Sequence, residues 1–260
     1  MKPQNDLLES VHNALRLLKL FTKDQPMLGT VEIAELLGIH RSSVSRILRT
    51  LLTEGFVMKD TNSPKYRLGP TIFSLGQFFT ESNDLYQISL DTMKELTQIT
   101  GETTQLGVVD DLDVLIIGSV ESSHPLRFMT MNGDKTPLYS SSLGRALIAF
   151  SDDSLLTRIL MQERTPRTKK SIIEEKSFIE EIKKVRIRGY STSVEEKYDG
   201  VNALAVPILN ANGQAIGAIN IAGPAHRLRP EKFQKIANHL LKASEEISKE
   251  YEFYTGPAFI

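Results

Sequence analysis

The sequence predicts an α+β chain in two domains: a small helical unit closed by a β-hairpin (residues 1–69) and a larger antiparallel sheet carrying helices (residues 84–260), with a linker helix at 70–83 between them. Three observations carry this prediction. Apolar residues recur at helical spacing up to Thr53, and two short β-rich runs then flank the turn "TNSP". From Thr103 the rhythm changes to short apolar runs broken by Asp, Ser, Pro and Gly, the clearest of them a hairpin around Asn212-Gly213. A length of 260 residues fits two domains.

Each element has a local reason. In residues 8–22, Val11, Leu15, Leu18 and Phe21 fall at helical spacing, and Pro26 ends the helix. "GTVEIAELLG" gives a short second helix with Thr30 as N-cap and Gly38 as its stop. A third helix runs from His40 to Thr53 and Gly55 ends it; "FVMKD" and "KYRLG" follow as strands. Residues 70–82 read as the linker helix and 84–100 as the first helix of the second domain, with Asn83 and Asp84 at the break. "TTQLGVVD", "DVLIIGSV" and "LRFMTMNG" read as strands, "LGRALIAF", "DDSLLTRILMQ" and "SFIEEIKKVRIRG" as helices, and "ERTPRTKK" as a basic loop. Gly189 stops the third of these helices. "VNALAVPILNANGQAIGAINIAG" is the hairpin, and a last helix spans Pro230 to Tyr251.

Composition narrows the function. The chain has no cysteine, which excludes disulfides, thiol catalysis and cysteine-based metal sites. No apolar run approaches the ~18 residues of a membrane span, and the N-terminus lacks the apolar run of a signal peptide, so a cytoplasmic protein without membrane partners is expected. His12, His40, His124, His226 and His239 are scattered, and Asp110, Asp111 and Asp113 suit a turn, so no metal site is expected. There is no glycine-rich phosphate loop or nucleophile elbow, hence no expected cofactor or catalytic residue. The net charge of −1 conceals an asymmetry: residues 1–70 hold 10 Lys and Arg against 7 Asp and Glu, and the remainder 21 against 25. A basic first domain on an acidic body suits a polyanionic partner.

The third helix sharpens that suggestion. On a helical wheel, Val44, Ile47, Leu48, Leu51 and Leu52 share one apolar sector. Ser42, Arg46, Arg49 and Thr53 lie opposite, flanked by Ser43, Ser45 and Thr50, and no acid appears before Glu54. Arg41 lies near the apolar edge, placed for a phosphate at the helix entrance. Arginine forks suit guanine edges and phosphates, and small hydroxyls allow close approach. The short "GIH" turn after the second helix matches a helix-turn-helix. The expected DNA contacts are Thr30, Arg41, Ser42, Ser43, Ser45, Arg46 and Arg49, with Lys65 clamping the backbone from a hairpin wing beside Lys59 and Arg67. The competing reading is a solvated basic face on helices that only dimerise a metabolite-binding module or an enzyme.

In "PLYSSSLGRALIAF" three serines stand before a helix. A helix start offers unpaired N–H groups and the positive end of the dipole, which favour an anion; Ser141 or Ser142 equally suits a simple cap. Met129 and Met131 suit either an adaptable apolar wall or ordinary core.

Taken together, "IAELLGIHRSSVSRILRTLLTEGFV…YRLGP", "YSSSLGRALIAF", "TPRT" and "RIRGYS…EE…GVNALAVPILNANGQAIGAINIAGP" resemble the IclR family of bacterial transcriptional regulators, and residues 8–250 follow its pattern in order. The resemblance implies a winged helix-turn-helix, a GAF-like effector-binding domain, no enzymatic activity, and a homodimer or homotetramer on double-stranded operator DNA, acting as a repressor. It implies a small-molecule effector bearing a carboxylate, held by the loop of Ser141, Ser142 and Leu143. Other pocket positions of the family map onto Ser193, Ala203, Asn220 and Ala222. In the family the first is often acidic, the second often cysteine and the last two often serine, so the departures here imply an effector other than the small 2-oxoacids of the best-known members.

Overall fold

The structure, a computed structural model, describes residues 7–255. Residues 1–6 of the expected first domain and 256–260 of the second lie outside the described residues. The chain divides between Glu81 and Ser82 into two compact units.

In the first unit α1 (Glu9–Leu18), α2 (Thr30–Leu37) and α3 (Arg41–Thr53) pack around Leu17, Leu28, Ile33, Leu37, Val44, Leu48 and Val57. An antiparallel sheet closes them, in the order β1 (Leu28–Gly29), β3 (Lys65–Leu68), β2 (Val57–Lys59). Strand β1 leaves no signal in the sequence: it pairs only Leu28 with Tyr66 and Gly29 with Lys65 and is too short to show a period. Gly38 makes the turn into α3 at φ +69°, a left-handed conformation that costs glycine little.

The structure corrects three expectations in this unit. Helix α1 buries Asn13 and Leu17, whereas Val11 (51%) and Leu15 (56%) stay exposed; Phe21 reaches the core from beyond the helix end at Leu18. Gly29, not Thr30, is the N-cap of α2. The Glu32 carboxylate accepts the Gly29 N–H at 2.6 Å, so a side chain inside the helix takes over the role of a capping hydroxyl. Leu52 is 42% exposed, because at about 80° from Val44 it lies at the far edge of the apolar sector.

Helix α4 (Pro70–Ser82) buries none of its residues, and Phe73 and Leu75 are exposed. Asn83 caps α5 (Asp84–Thr100), its Oδ1 accepting the Tyr86 N–H at 2.9 Å. The second unit is a six-stranded antiparallel sheet. Its strands are β4 (Thr103–Asp110), β5 (Asp113–Val120), β6 (Lys135–Pro137), β7 (Ser191–Val194), β8 (Val201–Leu209) and β9 (Ala215–Pro224), in the order β6-β5-β4-β9-β8-β7. Alternation along the strands feeds two cores. Leu106, Ile117, Leu204, Val206, Ile219 and Ile221 meet α5 and α9 (Phe233–Thr255) on one face. Val114, Ile116, Ala205 and Ala218 meet α6 (Ser142–Ala149), α7 (Asp153–Leu160) and α8 (Glu175–Arg188) on the other. Each fully buried leucine or isoleucine contributes about 1.5–3 kcal/mol.

The stretch "LRFMTMNG" is not a strand: it has no ladder partner, and the edge of the sheet is β6 instead. Strand β7 is invisible to pattern reading, since "STSV" carries no apolar run. The last helix begins at Phe233, after a 3₁₀ turn over Pro230–Lys232. Among the described residues no helix is long and apolar enough to cross a membrane.

Candidate functional site

The outer face of α3 is built by subtraction. Val44, Leu48 and Leu51 fix one side against the core, which leaves Arg41, Ser42, Ser43, Ser45, Arg46 and Arg49 exposed. The guanidinium groups of Arg41, Arg46 and Arg49 make no hydrogen bond or ion pair with the described residues. Ser43 and Arg46 border the groove between α1 and α3, and Arg41 and Ser42 lie beside α2. Thr50 and Thr53 turn their hydroxyls back onto the carbonyls of Arg46 and Arg49, at 3.2 and 3.0 Å, and so are engaged within the helix. Thr30 is half-buried at the first turn of α2.

Lys65, expected on the DNA backbone, has a partner inside the domain. Its ammonium pairs with Glu32 at 2.8 Å, tying the wing to α2. That hydrogen bond, then the Gly29 amide, holds the Glu32 carboxyl below its ordinary range. Lys65 is thus largely committed inside the domain, while Lys59 and Arg67 are exposed on the wing. The sequence could not show this, because the two partners lie 33 residues apart.

The second site is a cavity of about 260 Å³ on the α6 face of the sheet. Strand register assembles its floor: Ser193 lies opposite Ala203, Ala203 opposite Ala222, and Gln105 opposite Asn220. The two alanines keep that row low, and α6 begins beside it. Of the residues read as the effector site, Ser141, Ser142, Leu143, Ser193, Ala203, Asn220 and Ala222 all line the cavity. Met129 does not; it is 61% exposed, and its neighbours Phe128 and Thr130 face the cavity instead.

The start of α6 resolves the choice of cap. Ser141 is the cap, its Oγ accepting the Gly144 N–H at 3.0 Å. The Ser142 hydroxyl is then left buried with no partner, as is Oδ1 of Asn220. The Asn220 amide donates to Gln105 Oε1 at 3.1 Å, and Gln105 donates to Thr130. Behind them Arg145, 1% exposed, pairs with Glu196 at 2.5 Å and donates to the Thr192 carbonyl, fixing α6 to β7. Sequence reading missed Gln105, Thr130, Thr136, Lys197 and Tyr198, all of which line the cavity. Lys197 is the cation among them, and burial followed by the nearby Arg167 pushes its pKa down to about 8. Buried unpaired acceptors and donors around a cavity are what a polar ligand completes. Among the described residues there is no group of three or more side chains suited to hold a metal ion.

Comparison with known proteins assigns each unit to a described domain. Residues 10–61 match the IclR helix-turn-helix domain and residues 77–249 the bacterial transcriptional regulator IclR C-terminal domain. The chain is 29% identical over 255 residues to the HTH-type transcriptional regulator KdgR of Escherichia coli, covering 98% of this chain and 97% of that protein. It is 32% identical over 221 residues to the glycerol operon regulatory protein of Streptomyces coelicolor, covering 85% and 87%. A crystal structure of an IclR transcriptional regulator from Alicyclobacillus acidocaldarius superposes with a TM-score of 0.85 at 29% identity, covering 94% of this chain and 98% of that one. Its homologues are transcriptional regulators, not enzymes, and the chain belongs to the IclR family of bacterial transcriptional regulators.

Proposed function

We propose that this regulator represses transcription in the cytoplasm by binding operator DNA as a homodimer or a pair of dimers, and that a small carboxylate-bearing effector in the second unit alters that binding. The observation that carries the DNA contact is the outer face of α3, where Arg41, Arg46 and Arg49 have no partner among the described residues. Arg46 and Arg49 read bases, with Ser42, Ser43 and Ser45 allowing close approach. Arg41 at the helix entrance and Thr30 at the start of α2 meet phosphates, where open N–H groups favour an anion. Lys65 supports the wing through Glu32, and Arg67 takes over its phosphate contact.

One reader helix per chain supports pairing on two half-sites. The exposed Phe73 and Leu75 of α4 suit a surface covered by a second copy. Arg46→Ala should weaken operator binding by about 1–3 kcal/mol per half-site. A gel-shift titration at fixed salt measures it, and unchanged affinity removes Arg46 from the interface.

The effector acts by binding one arrangement of the reader heads better than another. Leu143, although it lines the cavity, belongs to the core and is a poor site for a blocking substitution. Ala203→Leu fills the floor from a strand instead, and should abolish the effector response while leaving operator affinity within about 0.5 kcal/mol of the parent. Normal effector release of operator DNA by that variant would place the effector elsewhere.

A further inference from the structure

We propose that the cavity has two anion-binding poles and that its effector is a short dicarboxylate, one acid group at the start of α6 and the other on the Lys197 ammonium. The inference rests on the reading of this cavity as the effector site. The first pole is Ser142: the residue lines the cavity, is 1% exposed, and its hydroxyl is buried with no partner. The first amides of α6 stand beside it, where an anion is favoured.

The second pole is less expected. Lys197 stands between β7 and β8, and its ammonium donates to the Thr136 hydroxyl at 2.6 Å, a neutral partner. The Tyr198 ring lies 4.9 Å away. Among the described residues no carboxylate lies within ion-pair distance of Lys197, although two acids immediately precede it in the chain. Both are taken, Glu195 by Lys170 and Glu196 by Arg145. The charged groups that act on Lys197 are Arg167, which disfavours its ammonium, and Asp134, which favours it. Asp134 is itself engaged, its Oδ2 accepting the Met131 N–H at 2.9 Å. Lys135, also on the lining, is paired with Asp110.

An ammonium whose direct partners are a hydroxyl and a ring, with Asp134 acting on it only from beyond ion-pair distance, gains from a carboxylate delivered by a ligand. Val114, Ile116, Ala203 and Ala222 supply apolar wall to the same cavity, which suits a methylene chain between the two acids. At about 260 Å³ the cavity lies below the range of drug-sized pockets, which keeps that chain short.

The test is calorimetric titration of the full chain with straight-chain dicarboxylates of about three to six carbons, each against the monocarboxylate of equal length. The best dicarboxylate should bind at least about tenfold more tightly than its monoacid. Lys197→Met should bring that ratio to about one, and Lys197→Arg should keep part of it. With the parent chain the ratio should also fall as pH rises through about 8, where Lys197 loses its charge. Equal binding of both acids to the parent chain overturns the second pole and leaves the first standing. A ratio that survives Lys197→Met removes Lys197 as its holder. Failure of every acid to bind the parent chain overturns the carboxylate reading of the cavity, and this inference with it.

Discussion

Replacing Glu196 with alanine should lower the unfolding free energy of the second unit by about 3–5 kcal/mol, as removing one member of a buried ion pair does. The guanidinium of Arg145 is 1% exposed and its Nε already lacks a partner. Without Glu196 it keeps only the Thr192 carbonyl. A buried charge stripped of its counter-charge keeps its full desolvation cost, so the effect exceeds that of the surface pairs, where about 0–1 kcal/mol is usual. Arg145→Met combined with Glu196→Ala should recover much of the loss, because the thioether replaces the aliphatic stem of the arginine and needs no partner. Urea denaturation of the parent and the three variants measures this. A loss below about 1 kcal/mol for Glu196→Ala would mean that water reaches Arg145, and the buried pair would then not be what fixes α6 to β7.

The same pair ties stability to function. Arg145 lies on α6, whose first turn forms one end of the cavity, and Glu196 immediately precedes Lys197. The Glu196 carbonyl also accepts from Thr168 and Ser171, at 3.1 and 2.7 Å, so the basic loop after α7 is anchored at the same corner. Loosening the pair should therefore blunt ligand binding even in molecules that remain folded.

What can be read from the chain alone follows the range of the interactions involved. The amphipathic pattern of α3 is local, so Val44, Leu48 and Leu51 identify the buried side and the exposed arginines follow from them. Leu52 shares that apolar sector but lies at its far edge, where the pattern alone does not separate a buried residue from an exposed one. The floor of the cavity is legible through family resemblance, and strand register explains why Ser193, Ala203 and Ala222 meet in one row. Met129 falls outside because its segment has no ladder to set which residues point inward. Lys65 and Lys197 escape pattern reading for opposite reasons. The first finds an acid 33 residues away, and the second loses its two adjacent acids to Lys170 and Arg145. In the string "EEKYDG" nothing separates a solvated charge run from a lone cation facing a cavity.

Two glycine-to-alanine substitutions should have opposite signs, and the larger bears directly on the cavity. A Cβ on Gly144 would lie 1.9 Å from the Leu138 carbonyl oxygen and 2.6 Å from Leu138 Cα. These are backbone atoms of the 3₁₀ turn at Leu138–Ser140 and cannot swing aside as a side-chain tip would. Relief requires α6 to separate from the turn, yet every residue of α6 is buried. The cost should therefore reach about 3 kcal/mol or more, at or beyond the upper end of ordinary overpacking. The shift would also move Ser141 away from the Gly144 N–H it caps and displace Ser142 from the cavity. Gly76 provides the control, since it lies within α4 and a methyl group there would have no atom within 4 Å outside its own helix backbone and chain neighbours. There alanine should stabilise α4 by about 0.8–1.0 kcal/mol through helix propensity alone. Melting curves of the two variants decide the matter: a Gly144→Ala chain as stable as the parent would show that the close approach of α6 to Leu138 does not hold in solution, and the first anion pole would lose its support.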